Sequence, residues 1–230
     1  KFLAALGLPV ASAEMEQFED QKALVVERFD RRWISAQGDK SRWLARLPQE
    51  DFCQVLGVAP DLKYESSGGP GMKKSLQILQ GSQSPDLDRT IFVLTQFVFW
   101  LLAAIDGHAK NFSIRLHAQD KYEMTPLYDV LSAWPIIGRG PNKLSAQDAK
   151  MAMALRGKNT HYRVSEILPK HWNALARECG VFGVWEQMLA LVESIEGAIG
   201  SVMGQLPEEY PLELAEKIFE GVRGQVKLFR

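Results

Sequence analysis

The segment DGHAKNF (Asp106–Phe112) holds a carboxylate and an amide with four residues between them. A second carboxylate, Asp129, closes PLYD (Pro126–Asp129) 18 positions after Asn111. Phosphoryl transfer calls for these groups. One carboxylate orients an attacking hydroxyl and accepts its proton, while an amide oxygen and a second carboxylate hold magnesium, a hard cation that prefers oxygen ligands. Asp-x4-Asn followed by Asp on a hairpin is the arrangement of protein-kinase catalytic and metal loops. The same residue types also serve as helix caps and turn residues, and the spacing is common by chance, so at this level both readings stand.

Asp106 needs a rigid carrier. The apolar run Ile91–Ile105, interrupted by Thr95 and Gln96, reads as a helix buried on most sides that ends at Asp106. An acid buried there without a partner is costly, but at the mouth of a cleft it is useful. Gly107 permits a turn, and Phe112–His117 with Tyr122–Met124 reads as a short hairpin. At the start of the chain, KFLAALGLP ends a helix, with Gly7 as its cap and Pro9 as its stop. Strand-like runs follow at Pro9–Gln17 and Lys22–Phe29, and two more flank a hairpin turn at Gln37-Gly38-Asp39-Lys40. After Pro48, Gln49-Glu50-Asp51 puts acids in the first turn of a helix that Gly57 stops. YESSGGPG (Tyr64–Gly71) matches neither a Walker loop nor GxGxxG, and reads as a tight structural turn or a phosphate cradle. Helical patterns near Lys73–Leu79, around His171, over Val184–Met203 and over Leu212–Leu228 complete the chain. A few strands followed mostly by helices predict an α+β fold.

Composition removes several function classes. With 46% hydrophobic and 24% charged residues among 230, the chain can bury a sizeable core, and wholesale disorder is excluded. A formal net charge of -1 argues against a domain-wide electrostatic grip on nucleic acid. Lys158, Arg163, Lys170 and Arg177, set against Glu166 alone, leave open a local basic face, as a DNA contact or as solvated surface. Cys53 and Cys179 form no disulfide framework and, with four scattered histidines, no zinc pattern; they read as reduced core thiols. The apolar helix would rise roughly 22 Å, short of a ~30 Å bilayer core.

KALVVERFD (Lys22–Asp30) is an apolar strand ending in Glu27-Arg28-Phe29. On a strand, the carbonyl of one residue and the N–H of the next but one face the same edge. An adenine edge offers one donor and one acceptor. The Glu27 carbonyl and Phe29 N–H can therefore form an adenine hinge; an ordinary strand whose charged end meets solvent reads the same.

ERFDR (Glu27–Arg31), RLPQED (Arg46–Asp51) with Cys53-Gln54 following, KYESSGGPG (Lys63–Gly71), DGHAKNF and PLYD occur in the order found in HipA-like proteins. These are bacterial serine/threonine kinases that act as the toxin of a toxin–antitoxin pair, and the chain resembles them over essentially its whole length. The resemblance implies a protein-kinase-like fold, with residues 1–30 as the end of a small β-rich lobe and hinge and residues 31–230 as a large, mostly helical lobe. It implies that Asp106 is the catalytic base and that Asn111 and Asp129 are magnesium ligands. Glu27, Arg28 and Phe29 then form the adenine hinge. His108 and Tyr128 line the nucleotide site, with Gln49 nearby, and Lys110 either approaches a phosphate or stays solvated. Arg177 falls close to the family's DNA-contacting region.

The implied activity uses ATP and Mg2+ to phosphorylate a protein serine, on glutamyl-tRNA synthetase and on the kinase itself, causing growth arrest and persistence in the bacterial cytoplasm. The implied partners are a HipB-like helix-turn-helix antitoxin and, through it, operator DNA. Two departures from ordinary protein kinases mark an atypical subgroup. Ala104-Ile105 stands before Asp106 in place of His-Arg, and Val130-Leu131 follows Asp129 in place of Phe-Gly. In this family the phosphate-covering loop, the strand lysine and the autophosphorylated serine precede the matching region. The segment alone is therefore expected to be an incomplete kinase. The alternative expectation is a catalytically incomplete fragment that binds antitoxin and operator DNA as a co-repressor module.

Overall fold

The computed structural model describes residues 1–35 and 42–230. Helix α1 (Phe2–Ala5) sends Phe2 and Leu3 into the main core, and Gly7, at φ 78, turns the chain away. Two antiparallel hairpins follow: β1 (Ala13–Phe18) with β2 (Gln21–Val26), and β3 (Arg31–Ser35) with β4 (Arg42–Arg46). The predicted turn at Gln37–Lys40 lies outside the described residues. Pro9–Ala11, expected to begin the first strand, pairs instead with Leu127. Ala11 N–H donates to the Leu127 carbonyl at 2.8 Å, and Leu127 N–H donates to the Pro9 carbonyl at 2.8 Å. Both hairpins leave large apolar side chains in solvent, among them Phe18, Leu24, Trp33 and Trp43.

Gln49–Asp51, predicted as the first turn of a helix, is instead a strand, β5. It pairs with β6 (Ser113–Leu116) in the register Gln49↔Arg115, Glu50↔Ile114, Asp51↔Ser113, and β6 pairs on its other side with β7 (Tyr122–Met124). Helix α2 (Phe52–Val55) begins later because Asp51 is its N-cap. Asp51 Oδ1 accepts from Gln54 N–H, and Gln54 Oε1 accepts from Asp51 N–H, each at 2.9 Å.

After α3 (Met72–Leu79) comes the central helix, α4 (Pro85–Leu102). Pro85, Asp86 and Asp88 suit its positive end. From Phe92 onward every residue except Leu94 is buried. Of the two polar interruptions, Thr95 Oγ1 donates to the Ile91 carbonyl at 2.7 Å, while Gln96 Nε2 lies 3.5 Å from Met153 Sδ and its buried Oε1 has no partner among the described residues. The apolar pattern carries this helix to Ile105, but it stops at Leu102. Ala103 takes a left-handed conformation at φ 47, and the last carbonyls are claimed from outside. Trp134 Nε1 donates to the Leu101 carbonyl at 2.8 Å and Ser132 Oγ to the Leu102 carbonyl at 2.7 Å.

A hairpin of β8 (Lys150–Arg156) and β9 (Thr160–Arg163) occupies a stretch where the sequence suggests no element. Met151–Leu155 is buried on both faces. Such a strand shows no alternation, and Met, Ala and Leu in isolation favour helix. Helix α5 (Pro169–Glu178) forms around His171 as expected, and α6 (Val184–Met203) and α7 (Leu212–Phe229) follow at or within one residue of their predicted limits. Helix α6 buries Val184, Met188, Leu191, Ile195 and Val202, and α7 buries Ala215, Phe219, Val222 and Phe229, each as one stripe at helical spacing. Both pack on α4. There, Phe97 sits with ring centroids 5.9, 5.2 and 4.8 Å from Trp100, Trp172 and Phe229. This packing makes α4 the fixed base from which the Asp106 loop leaves.

Candidate active site

Beyond Ala103 the chain turns tightly. His108 N–H donates to the Asp106 carbonyl and Asn111 N–H to the His108 carbonyl, both at 2.9 Å, leading into a 3₁₀ turn over Ala109–Asn111. The apolar members of the motif anchor it. Ala109 and Phe112 are buried, and the Phe112 ring lies 4.9 Å from that of Phe92 and 5.8 Å from those of Phe52 and Phe99. Gly107 serves close approach: a Cβ there would sit 2.3 Å from the Phe99 ring.

The polar members form a network. Asp106, half-exposed, accepts the Tyr64 hydroxyl through Oδ1, and the same oxygen lies 3.5 Å from His108 Nε2. His108 is buried, and burial lowers its pKa. Asp106 and Asp129 act in the opposite sense and Lys63 adds to the lowering, so the imidazole is neutral at pH 7. Its Nδ1 has no partner among the described residues. Asn111 Nδ2 donates to Asp129 Oδ2 at 3.1 Å, while Asn111 Oδ1 is buried with no partner among the described residues. Asp129 is exposed and left-handed at φ 54, a conformation Asp tolerates better than most residues. Lys110 Nζ is engaged by Asp51 Oδ2 at 2.6 Å. Tyr128 donates to the Lys110 carbonyl at 2.8 Å and accepts from Ser113 Oγ at 2.5 Å, and burial pushes its phenol up to about 12.

The hinge candidates reach the same neighbourhood. Strand β2 ends at Val26, and Glu27 N–H donates to the Ser12 carbonyl at 2.9 Å. Among the described residues the Glu27 carbonyl and the Phe29 N–H have no hydrogen-bond partner. The Phe29 ring lies 5.8 Å from the Tyr128 ring, and its carbonyl accepts from Arg115 Nη2 at 3.3 Å. Arg28 is drawn to Asp30, with Nε–Oδ1 at 2.7 Å and Nη2–Oδ2 at 2.6 Å; this fork, together with Arg31, holds the Asp30 carboxyl down at about 2. On β5, Gln49 Oε1 is buried with no partner among the described residues.

The fold thus gathers Asp106, His108, Lys110, Asn111, Tyr128 and Asp129, and sets Phe29 against Tyr128. Arg177 stands on another element. It is exposed on α5 and lines an open hollow of about 490 Å³ with Lys170 and Trp185, beside a second of about 750 Å³ lined by Lys158, His161 and His171. Sequence reasoning does not reach the roles of Tyr64, Asp51 and Ser113. The motifs holding Tyr64 and Asp51 and the strand holding Ser113 were visible, but their partners lie 42, 59 and 15 positions away.

Among the described residues no group of three or more His, Cys, Asp or Glu side chains is placed to hold a metal. A magnesium ion that shares nucleotide phosphates and water needs only one or two protein oxygens. The unpartnered Asn111 Oδ1 and the exposed Asp129 carboxylate fit that donor set.

A family model described as the HipA-like C-terminal domain matches residues 1–206. The chain belongs to the HipA-like family. Among curated relatives, Y4mE of Sinorhizobium fredii, provisionally named a kinase, is 33% identical over 100% of this chain and 52% of its own length. The serine/threonine-protein kinase toxin HipA of Shewanella oneidensis is 31% identical over 55% of this chain and 31% of its own length. This HipA-like chain therefore spans about half, or less, of the length of these relatives. HipA of Shewanella oneidensis MR-1, solved with HipB and its operator DNA, matches with a TM-score of 0.81 at 22% identity, over 98% of this chain and 53% of that one. The Helicobacter pylori proinflammatory kinase CtkA matches with a TM-score of 0.58 at 11% identity, over 99% of this chain and 76% of that one. These likenesses establish a HipA-type, kinase-like α+β fold. Among the described residues no helix is long and apolar enough to cross a membrane.

Proposed function

We propose that this HipA-like chain carries the catalytic lobe of a serine/threonine protein kinase that moves the γ-phosphate of ATP to a protein serine. The observation that carries the proposal is the cluster of Asp106, His108, Asn111 and Asp129, in which a buried amide oxygen without a partner stands beside an exposed carboxylate. Asp106 orients the seryl hydroxyl and takes its proton. The seryl oxygen bonds to the γ-phosphorus as the bond from that phosphorus to the bridging oxygen breaks, and ADP leaves with the electron pair. Asn111 and Asp129 would hold magnesium, which when bound neutralises charge on the β- and γ-phosphates. Neutral His108 can hydrogen-bond a phosphate without adding charge. Lys110, held by Asp51, contributes a positive charge from the site's edge. Phe29 and Tyr128 supply an aromatic wall for adenine, with the Glu27 carbonyl and Phe29 N–H as the hinge groups and Arg28 and Gln49 at its margin. Residues 1–30, whose first helix packs on the core of the large lobe, then carry the end of the small lobe and the hinge, and 31–230 act as the large lobe.

Family resemblance extends the proposal to a toxin of a HipA/HipB-type pair in the bacterial cytoplasm. It would be restrained by a HipB-like antitoxin on operator DNA and would arrest growth by phosphorylating glutamyl-tRNA synthetase. The hollows along α5 mix Lys158, Lys170 and Arg177 with Glu166 and Glu178; a coexisting role in DNA contact and repression would act through those three cations. The test is to incubate the full-length protein with γ-labelled ATP and purified glutamyl-tRNA synthetase, with magnesium or with excess chelator. Magnesium-dependent serine labelling of the synthetase or of the protein itself is expected. Absence of magnesium-dependent label on both would overturn the kinase reading.

A further inference from the structure

We propose that Tyr64, held in place by a glycine-rich clamp, is a positioning residue for Asp106 during phosphate transfer. The proposal rests on the reading of Asp106 as the base and assigns a purpose to the segment Tyr64–Gly71. The Tyr64 hydroxyl donates to Asp106 Oδ1. The carboxyl torsion of an aspartate is broad, so a half-exposed carboxylate on a short loop needs a fixed donor to hold its plane. With Oδ1 occupied, Oδ2 is the oxygen left for a substrate hydroxyl. The Tyr64 ring is itself fixed, edge-on to His108 at 5.2 Å and 85°, with Lys63 Nζ 5.2 Å from its centroid. Burial, then the hydrogen bond and charge of Asp106, push the Tyr64 phenol up to about 12, which keeps the donor protonated.

The glycines explain how the ring is delivered. Glu65, next in sequence, turns the other way and crosses beneath the loop to β8. Its Oε2 accepts from Ala154 N–H at 2.7 Å, and its Oε1 pairs with Arg156. Its side chain is only 9% exposed, so a carboxylate is spent on fixing the loop where water cannot compete. A Cβ at Gly71 would lie 2.2 Å from Glu65 Cδ, and one at Gly69 would lie 2.1 Å from the Leu62 carbonyl oxygen. Gly68 is left-handed at φ 96, and Gly69 N–H closes the turn on the Tyr64 carbonyl at 2.9 Å. Glu65 thus ties one end of the clamp to β8, while Tyr64 presents the other to Asp106.

The experiment uses the full-length protein, γ-labelled magnesium–ATP and glutamyl-tRNA synthetase, with label on the synthetase and on the protein itself both counted. Tyr64→Phe keeps the ring and removes only the hydroxyl. It is expected to lower kcat about 10-fold or more, as misplacement of a reacting group does, with the KM for ATP unchanged. In the Asp106→Asn background the same change is expected to have no further effect, because its partner is already disabled. Independently of activity, the 13C resonance of the Tyr64 phenolic carbon is expected to move in Asp106→Asn. A wild-type kcat in Tyr64→Phe, or an equal loss in both backgrounds, would overturn the positioning role while leaving the base reading intact. Undiminished transfer by Asp106→Asn alone would remove the base reading, and the positioning role with it.

Discussion

Asp106→Asn in the full-length protein is expected to slow γ-phosphate transfer by about 10²–10⁴-fold, the usual contribution of a positioned general base, while magnesium–ATP affinity stays unchanged. Asparagine matches aspartate in shape, and its amide oxygen can still accept the Tyr64 hydroxyl, so the loop keeps its place. What it loses is the ability to take a proton. The residues proposed to hold the metal, Asn111 and Asp129, are bonded to each other rather than to Asp106, so their geometry survives. Single-turnover transfer with calorimetric ATP titration separates the two effects. Equal losses in rate and affinity would place Asp106 in binding instead.

Asp129→Asn is expected to show the opposite emphasis. Magnesium-dependent ATP affinity should fall about 10- to 100-fold, because a charged oxygen ligand is replaced by a neutral one, and transfer should fall with it. Asparagine tolerates the left-handed conformation at φ 54 as well as aspartate does, so the backbone is preserved. Nucleotide binding measured in excess chelator should not change. Calorimetry with and without magnesium decides the matter: a loss that persists in chelator would assign Asp129 to the fold rather than to the metal.

The parts of this architecture legible in the sequence are those whose signals are local. Helix α6 keeps its predicted limits because its buried stripe runs at helical spacing for its whole length. The β6–β7 hairpin is similarly plain from its short strands and polar turn. Signals that arrive from elsewhere in the chain were not legible. Helix α4 ends early because Trp134 and Ser132 reach its carbonyls, and β8 is a strand because it is enclosed on both faces. The candidate site divides in the same way. Residue types and spacing single out Asp106, Asn111 and Asp129, but not that Tyr64 would hold one oxygen of Asp106 or that Asp51 would hold Lys110. Those pairings exist only after loops far apart in sequence are folded together. The hinge is an intermediate case: the strand was visible, but not its end at Val26, opposite Ala13 where β1 begins.

The central claim is that a metal–nucleotide site lies at Asn111 and Asp129, beside Asp106. The chain has asparagines at positions 111, 142, 159 and 173, and two of them, Asn159 and Asn173, line the open hollows along α5. They serve as internal controls in the full-length protein labelled with 15N-asparagine, with each resonance identified by substitution. On addition of Mn2+ and a non-hydrolysable ATP analogue, paramagnetic broadening is predicted to erase the Asn111 side-chain amide signal, to spare Asn159 and Asn173, and to be lost in Asp129→Asn. Broadening centred on Asn159 or Asn173 with Asn111 unaffected would contradict the account.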